Sequence, residues 1–235
     1  MTNDDRARRI EAIILDVGGV FLLPDPLTIG DHLASAGLDA AQGSIVRAHY
    51  AGIRALDLRG EWDAYLDAFV GELGLPDDAL ARASDALREV WFTENLWRFP
   101  VQESVAGLRH LALSGRKLGI VSNADGTVEA QLRAQSIAQV GEGLGVPVLA
   151  IIDSTVFGSA KPEPAIFRHA VEQLGVAPEH AVYIGDSVRF DVRGARAAGL
   201  HPVHFDPYDL CPARQDHPHV RAIADTVELL GGPLP

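Results

Sequence analysis

Four short runs of apolar residues are spaced along the chain. They cover residues 12–15, 118–122, 148–152 and 181–184, and a weaker fifth run covers residues 202–205. Each run is continuously apolar and does not alternate with polar residues, which is typical of parallel strands that are covered on both faces. The pattern therefore predicts short strands that lie in the interior of the protein.

Amphipathic segments lie between these runs and predict helices. The segments cover residues 101–114, 127–139, 164–174 and 191–198. Three of them are followed by a glycine, a residue that commonly ends a helix, at Gly115, Gly175 and Gly199. Because strands alternate with helices, we expect an α/β fold with a mostly parallel sheet.

The segment between the first two predicted strands differs from the rest of the chain. It contains only helical patterns, which cover residues 28–36, 40–56, 62–73 and 77–92. A helical block that follows the first strand, with the sheet resuming later, predicts an all-helical cap inserted into the α/β core. We expect residues 1–26 and 99–235 to form the core and residues 27–98 to form the cap.

The composition is that of an acidic globular protein. The 235 residues include 32 Asp and Glu against 20 Lys and Arg, for a formal net charge of −12. This balance argues against nucleic acid or an anionic membrane as a partner, because both require a basic face. The single cysteine, Cys211, excludes an internal disulfide, and no apolar run reaches the roughly 18–20 residues of a membrane helix. We therefore expect a cytoplasmic protein.

Polar residues follow the predicted strands at the points where the strands end. These residues are Asp16, Ser122, Asn123, Lys161, Asp186 and Asp191. In an open α/β sheet, ligands bind outside the carboxyl ends of the strands, so these side chains are expected to converge on one edge.

The chemical types in this set are those of a phosphoryl-transfer site. Carboxylates supply a nucleophile and the hard oxygen ligands that Mg²⁺ prefers. A hydroxyl, an amide and an ammonium group are donors for phosphoryl oxygens. Gly18 and Gly19 let the backbone approach a ligand closely and expose amide groups to it. The set therefore predicts a nucleophile, a cation and donors around one phosphoryl group.

In these residues the sequence resembles the haloacid dehalogenase superfamily, over about residues 13–200. The motifs that carry the resemblance are Asp16 in DVGGV, Ser122-Asn123, Lys161 in GSAKPEPAIF, and Asp186 with Asp191 in IGDSVRFDVRGARAAG. All four occur in order, each near the end of a predicted strand. The resemblance implies a Rossmann-like, three-layer core with a parallel sheet and a helical cap inserted between the first two motifs.

The resemblance also implies roles for the carboxylates. Asp16 would be the nucleophile and would form an aspartyl-phosphate. Asp16, Asp186 and the backbone carbonyl of Gly18 would bind Mg²⁺. Asp191 would hold a metal-bound water or anchor Lys161.

The remaining motif residues would bind the substrate. Ser122, Asn123 and Lys161 are the expected phosphate-binding residues, and Lys161 would also offset the carboxylate charge. The implied substrate is a small phosphorylated metabolite, and the implied cofactor is Mg²⁺. The sequence leaves open whether the protein is a monomer or a homodimer.

Gly18 departs from the pattern of that superfamily. Most of its phosphatases have an aspartate at this position, which protonates the leaving group and activates water, a contribution of roughly 10²–10⁴-fold. The protein could remain a phosphatase with another proton source or a substrate with a good leaving group. Alternatives are a binding protein with little turnover, or a dehalogenase-like hydrolase. The dehalogenases resemble the chain less, since they lack the metal carboxylate of the fourth motif and carry an arginine where this chain has FLLPDP.

A second group of metal-ligand types lies near the end of the chain, at Cys211, Asp216, His217 and His219. Their spacing matches no standard zinc site, and DHPH lies in a proline-rich segment. The sequence therefore favours an ordinary loop here, followed by a helix over residues 220–230.

Overall fold

The computed structural model describes residues 10–93 and 95–231, and the chain divides into two compact units. The larger unit takes in the described residues of Met1–Phe21, Pro100–Pro207 and Pro212–Pro235. The smaller unit consists of Leu22–Phe99 and Tyr208–Cys211.

Strands of the described residues occur in three sheets. In chain order they are β1 (Ala12–Leu15), β2 (Leu22–Pro24), β3 (Trp97–Pro100), β4 (Lys117–Ser122), β5 (Ala138–Val140), β6 (Val146–Val148), β7 (Ala150–Asp153), β8 (Ala181–Gly185), β9 (His201–Phe205) and β10 (His219–Val220). The largest sheet has the order β10-β9-β8-β1-β4-β7, and the other two are the pairs β2-β3 and β5-β6.

Helices connect these strands. In chain order they are α1 (Pro26–Ser35), α2 (Gln42–Arg59), α3 (Trp62–Gly71), α4 (Leu80–Thr93), α5 (Gln102–Ala112), α6 (Val128–Ala134), α7 (Ser154–Phe157), α8 (Pro164–Leu174), α9 (Arg193–Ala198) and α10 (Asp225–Leu229). Short 3-10 helices cover Asp77–Ala79 and Pro178–His180, and a π-helix covers Val188–Val192.

All strand pairs of the six-stranded sheet are parallel, and β1 lies between β4 and β8. The carboxyl ends of the strands therefore meet at one edge. This is the Rossmann-like α/β fold that the sequence predicted, with a helical insertion after the first strand.

The central strand is buried on both faces. Ile14 packs in a core cluster with Phe167 of α8 and Tyr183 of β8, while Ile13 and Leu15 point to the opposite face and are also fully buried. Burial on both faces explains why the strand is continuously apolar in the sequence.

Most of the predicted elements are confirmed. Strand β1 and helix α8 have the predicted bounds, and β4, β8 and β9 differ from prediction by one residue at one end. The third strand begins later than predicted, at Ala150, because Val148 belongs to β6.

The predicted helix over residues 127–139 is wrong in its second half. Helix α6 ends at Ala134, and Ser136 has a φ of 54°, in the left-handed region. The backbone N–H of Ile137 then bonds to the carbonyl of Leu132, which closes the helix, and β5 follows.

The end of the chain also differs from prediction. The predicted helix over residues 220–230 is shorter, Asp225–Leu229, and it follows the strand β10. His219 and Val220 pair in parallel with His204 and Phe205 of β9, so the polar tail adds an edge strand to the sheet.

The smaller unit is mainly helical. Helices α2 and α3 pack closely, because Gly52 has no side chain and the ring of Tyr65 fills the space next to it. Residues 27–98 are not helical throughout as predicted, since β3 begins at Trp97 and pairs with β2. The unit begins at Leu22 and includes Tyr208–Cys211, which the sequence did not group with it.

None of the described helices is long and apolar enough to span a membrane.

Candidate active site

The structure brings the predicted carboxylates together at the carboxyl edge of the sheet, within the larger unit. Asp16 follows β1 directly, and Asp186 follows the neighbouring strand β8. Carboxylate oxygens of Asp16, Asp186 and Asp191 all lie within 4.8 Å of one another, and all three residues are buried. Three carboxylates from two separate segments of chain thus share one small volume.

Lys161 lies among these carboxylates. Its Nζ is 2.8 Å from Oδ1 of Asp16 and 2.7 Å from Oδ1 of Asp191, and its side chain is 3% exposed. The Nζ also donates a hydrogen bond of 3.1 Å to the hydroxyl of Tyr183. An ammonium group has three N–H donors, and three acceptors surround this one.

Asp191 is held in place by the chain around it. Its Oδ2 accepts a hydrogen bond of 3.0 Å from the backbone N–H of Ser187, and its Oδ1 faces Lys161. A Cβ atom at Gly185 would overlap the carboxylate of Asp191, so only glycine leaves room for it at the end of β8. Asp191 therefore anchors Lys161 in this structure, and ligation of a metal by Asp191 stays a prediction.

Asn123 binds the backbone of Lys161. Its Nδ2 donates to the Lys161 carbonyl at 3.0 Å, and its Oδ1 accepts from the Lys161 N–H at 2.8 Å. The side chain that was expected to bind phosphate therefore positions the lysine, and a direct contact with phosphate stays a prediction. Ser122, its neighbour, is buried at the end of β4 and is in register with Asp153.

Sequence analysis missed Tyr183. Its hydroxyl accepts from Lys161 and donates to the carbonyl of Val121 at 3.1 Å, so it links the lysine to strand β4. The signal in the sequence was a single hydroxyl group in the otherwise apolar strand AVYIG. A buried tyrosine hydroxyl generally has a hydrogen-bond partner, and here the partners belong to the site.

The turn after β1 places backbone groups close to Asp16. The N–H of Val17 donates to Oδ1 of Asp16 at 2.7 Å. Gly18 is half-buried, and Gly19 has a φ of 72°, which only glycine adopts readily. Gly18 thus has the position beside Asp16 that the sequence predicted, and it carries no side chain for acid/base chemistry.

The charges of the site act strongly on Asp16. Burial raises its pKa from 3.8 to about 7; Lys161 opposes this rise, while Asp191 and Asp186 add to it. Burial also lowers the pKa of Lys161, but the charges of Asp16 and Asp191 outweigh burial and raise it above 10.5. Lys161 is therefore charged, and one ammonium group does not compensate for three carboxylates.

The donor set fits a hard divalent cation. Three carboxylates and one ammonium carry a formal charge of −2, which a divalent cation would neutralise. Carboxylate and backbone carbonyl oxygens are the ligands that Mg²⁺ prefers. Burial is the main cause of the raised pKa of Asp16, and the nearby carboxylates of Asp191 and Asp186 add to it.

Comparison with known proteins gives a consistent match. The model of the haloacid dehalogenase-like hydrolase family matches residues 10–199. This range contains all of the predicted site residues.

Individual relatives match over shorter stretches. The mouse haloacid dehalogenase-like hydrolase domain-containing protein 3 is 32% identical over 155 residues, which cover 65% of this chain and 58% of that protein. The phosphoserine phosphatase of Thermus thermophilus is 36% identical over 121 residues, 51% of this chain and 46% of that protein. The matches thus span about half of each of these relatives.

Solved structures share the fold. A haloacid dehalogenase-type phosphatase from Thermococcus onnurineus superposes with a TM-score of 0.59 and 23% identity, covering 96% of this chain and all of that one. At this identity the likeness is one of fold.

Replacement of Asp16 by asparagine tests the cost of burying its charge. The unfolded chain loses this proton near pH 3.8 and the folded chain near pH 7, so the group destabilises the fold as the pH rises through that range. Without divalent cations we expect Asp16→Asn to melt more than about 2 °C above the unsubstituted protein at pH 8. The difference should disappear near pH 4.

Thermal denaturation followed by circular dichroism at several pH values measures this. The exposed Asp39→Asn is the control and should show no such pH-dependent difference. Equal melting temperatures of Asp16→Asn and the unsubstituted protein at pH 8 would contradict the prediction.

A second prediction concerns Gly185. Gly185→Ala places a methyl group where the carboxylate of Asp191 lies, so we expect a loss of roughly 1–3 kcal/mol, measured by urea denaturation. The control is Gly30→Ala in α1, where no atom lies within 4 Å of the added Cβ; it should leave stability unchanged or raise it. An unchanged stability of Gly185→Ala would show that the site does not need this close approach.

Proposed function

Because this chain belongs to the haloacid dehalogenase-like hydrolase family, we propose that it hydrolyses small phosphate esters with the aid of Mg²⁺ and through an aspartyl-phosphate on Asp16. The observation that carries the proposal is the convergence of Asp16, Asp186, Asp191 and Lys161 at the carboxyl edge of the sheet. The phosphatases among its relatives support a reaction on a phosphate ester.

Asp16 is the nucleophile in this proposal. Its contacts with Lys161 and the Val17 N–H both fall on Oδ1, within the part of the chain that the structure describes. This leaves Oδ2 for attack on phosphorus. The new bond between Oδ2 and phosphorus forms as the bond to the ester oxygen breaks, and the alcohol leaves with a proton.

Water completes the reaction. It attacks phosphorus in the aspartyl-phosphate, so that the bond between phosphorus and Oδ2 breaks, inorganic phosphate leaves and the carboxylate is restored. Lys161 is charged when the reaction begins, because two carboxylates stabilise its ammonium group.

Phosphate binding by Lys161 requires an exchange of partners. Its three donors already face Asp16, Asp191 and Tyr183. The contact with Asp191 fixes the position of the ammonium group, so a phosphoryl oxygen would replace Asp16 or Tyr183. We propose Ser122 and the backbone amides beside Gly18 and Gly19 as the further donors.

We propose that Asp16, Asp186 and the carbonyl of Gly18 hold the cation. When bound, Mg²⁺ offsets negative charge on the phosphoryl group and on the carboxylates. Asp191 contributes through Lys161, whose ammonium group it contacts at 2.7 Å.

Gly18 distinguishes this site from one with an aspartate at the same position. Without that carboxylate the leaving alcohol must take its proton from water or from the substrate. We therefore propose a preference for phosphates whose leaving group is a weak base.

The same residue favours a second candidate, a binding protein with little turnover, since general acid/base catalysis is worth roughly 10²–10⁴-fold. A dehalogenase-like reaction on carbon is disfavoured by the carboxylate-rich site, because three buried carboxylates suit a cation better than a carboxylic acid substrate.

The first test is hydrolysis of an aryl phosphate. We expect turnover that depends on Mg²⁺ and that Asp16→Asn lowers by more than about 10³-fold. The matched control is Asp153→Asn, a buried carboxylate that ends β7 and accepts hydrogen bonds from the backbone of Gly126 and Thr155. It should retain activity to within about tenfold.

Each other outcome favours a different function. Activity that survives Asp16→Asn excludes the proposed nucleophile. Halide release from a 2-haloacid without Mg²⁺ would support dehalogenation, and phosphate-ester binding without turnover would support the binding protein.

The second test concerns the leaving group. We expect alkyl phosphates to react more slowly than aryl phosphates by more than about 10²-fold, and we expect Gly18→Asp to reduce this gap by restoring a carboxyl group for proton transfer. Steady-state rates over a series of leaving groups measure it. Equal rates for alkyl and aryl esters in the unsubstituted protein would contradict the prediction.

A further inference from the structure

Three histidines lie close together at the side of the sheet formed by β9 and β10. His204 on β9 and His219 on β10 are register partners in neighbouring parallel strands. His217 precedes β10 by two residues, and the ring centroids of the three lie 4.5–5.3 Å apart. The sequence predicted an ordinary loop around His217 and His219, and it gave no reason to include His204, which lies on another strand.

The ring nitrogens of these histidines converge. Nε2 of His217 is 3.3 Å from Nδ1 of His204, and one nitrogen from each ring lies within 4.8 Å of the others. With zinc–nitrogen bonds of about 2.0–2.1 Å, two ligands of a tetrahedral ion are roughly 3.3 Å apart. The closest pair already has this separation, and the third ring needs only a small adjustment.

Hydrogen bonding suits two of these nitrogens, on His204 and His219, to metal binding. Nε2 of His204 bonds to the backbone carbonyl of Asp186 at 2.8 Å, so it carries the proton, and Nδ1 turns its lone pair toward Nε2 of His217. Metal-binding histidines commonly donate their second N–H to a carbonyl in this way. Among the described residues, Nε2 of His219 is buried and has no hydrogen-bond partner.

The surroundings favour the neutral form of His217 and His219. Burial, followed by the neighbouring His204, lowers the pKa of His217 to about 4, and the same two causes lower the pKa of His219. Neutral imidazole is the form that binds a metal. The buried Nε2 of His219 loses its solvation without compensation, which a bound cation would correct.

We propose that His204, His217 and His219 form a second metal site, which binds one Zn²⁺ through Nδ1 of His204 and Nε2 of the other two. The proton on Nε2 of His217 moves to Nδ1 of the same ring, so the imidazole stays neutral. Three imidazoles suit Zn²⁺, whereas the carboxylates of the candidate active site suit Mg²⁺, so the two sites differ in preference.

This metal would have a structural effect. The ion would tie β9 to β10 and to the segment before β10. Strand β10 lies at the edge of the sheet and has a neighbouring strand on one side only. His204 also bonds to the carbonyl of Asp186, so the ion would fix the backbone that carries one of the active-site carboxylates.

Binding is measured on the full chain in excess Mg²⁺, which occupies the carboxylates. We expect one Zn²⁺ per chain by isothermal titration, and visible absorption bands of a tetrahedral ion when Co²⁺ replaces Zn²⁺. Zinc at about 100 times its dissociation constant should raise the melting temperature by on the order of 5 °C.

Substitutions locate the site. His219→Gln and His217→Ala should each weaken Zn²⁺ binding by more than about tenfold and abolish the Co²⁺ bands. The control is His110→Ala, an exposed histidine on α5, which should change neither. Asp16→Asn should also retain zinc, because it removes a carboxylate of the other site.

Two results would overturn the proposal. One is the absence of stoichiometric zinc binding by the unsubstituted protein. The other is binding that Asp16→Asn abolishes and that both histidine variants retain, since the ion would then belong to the carboxylates. His219→Gln keeps a polar side chain at a half-buried position, so its circular dichroism spectrum separates loss of the site from loss of the fold.

Discussion

The site depends on a buried ammonium group between two buried carboxylates. Lys161 is 3% exposed, and its Nζ lies within 2.8 Å of both Asp16 and Asp191. Charges removed from water are costly unless they are paired and hydrogen-bonded. The surrounding chain meets this requirement, because Asn123 fixes the backbone of Lys161 and Tyr183 occupies its third donor.

The buried positive charge of Lys161 does not balance the buried negative charge of the carboxylates, and this imbalance has a functional consequence. Asp186 adds a third carboxylate to the cluster, and burial, with smaller contributions from Asp191 and Asp186, raises the pKa of Asp16 to about 7 against the effect of Lys161. An excess of buried negative charge is poor for stability but is suited to a divalent cation and, through it, to an anionic substrate. The protein as a whole carries a net charge of −12, yet a cation at the proposed site would let it accept a phosphate.

The parallel sheet brings two kinds of ligand group close together. Hard carboxylates follow β1 and β8, while imidazoles lie on β9 and β10, at one side of the same sheet. The carbonyl of Asp186 joins them through its hydrogen bond with His204. Each group of ligands would select a different ion, since imidazole favours zinc and carboxylate favours magnesium.

The sequence alone determined the strand–helix alternation, the central strand Ala12–Leu15 and the residues that follow the strands, because burial on both faces leaves a continuous apolar run and ligands bind where such runs end. Only the tertiary structure showed that Asn123 holds the Lys161 backbone, that Tyr183 joins the site and that His204 meets His217 and His219. These contacts join residues 13 to 38 positions apart in the chain, and no local pattern records such pairs.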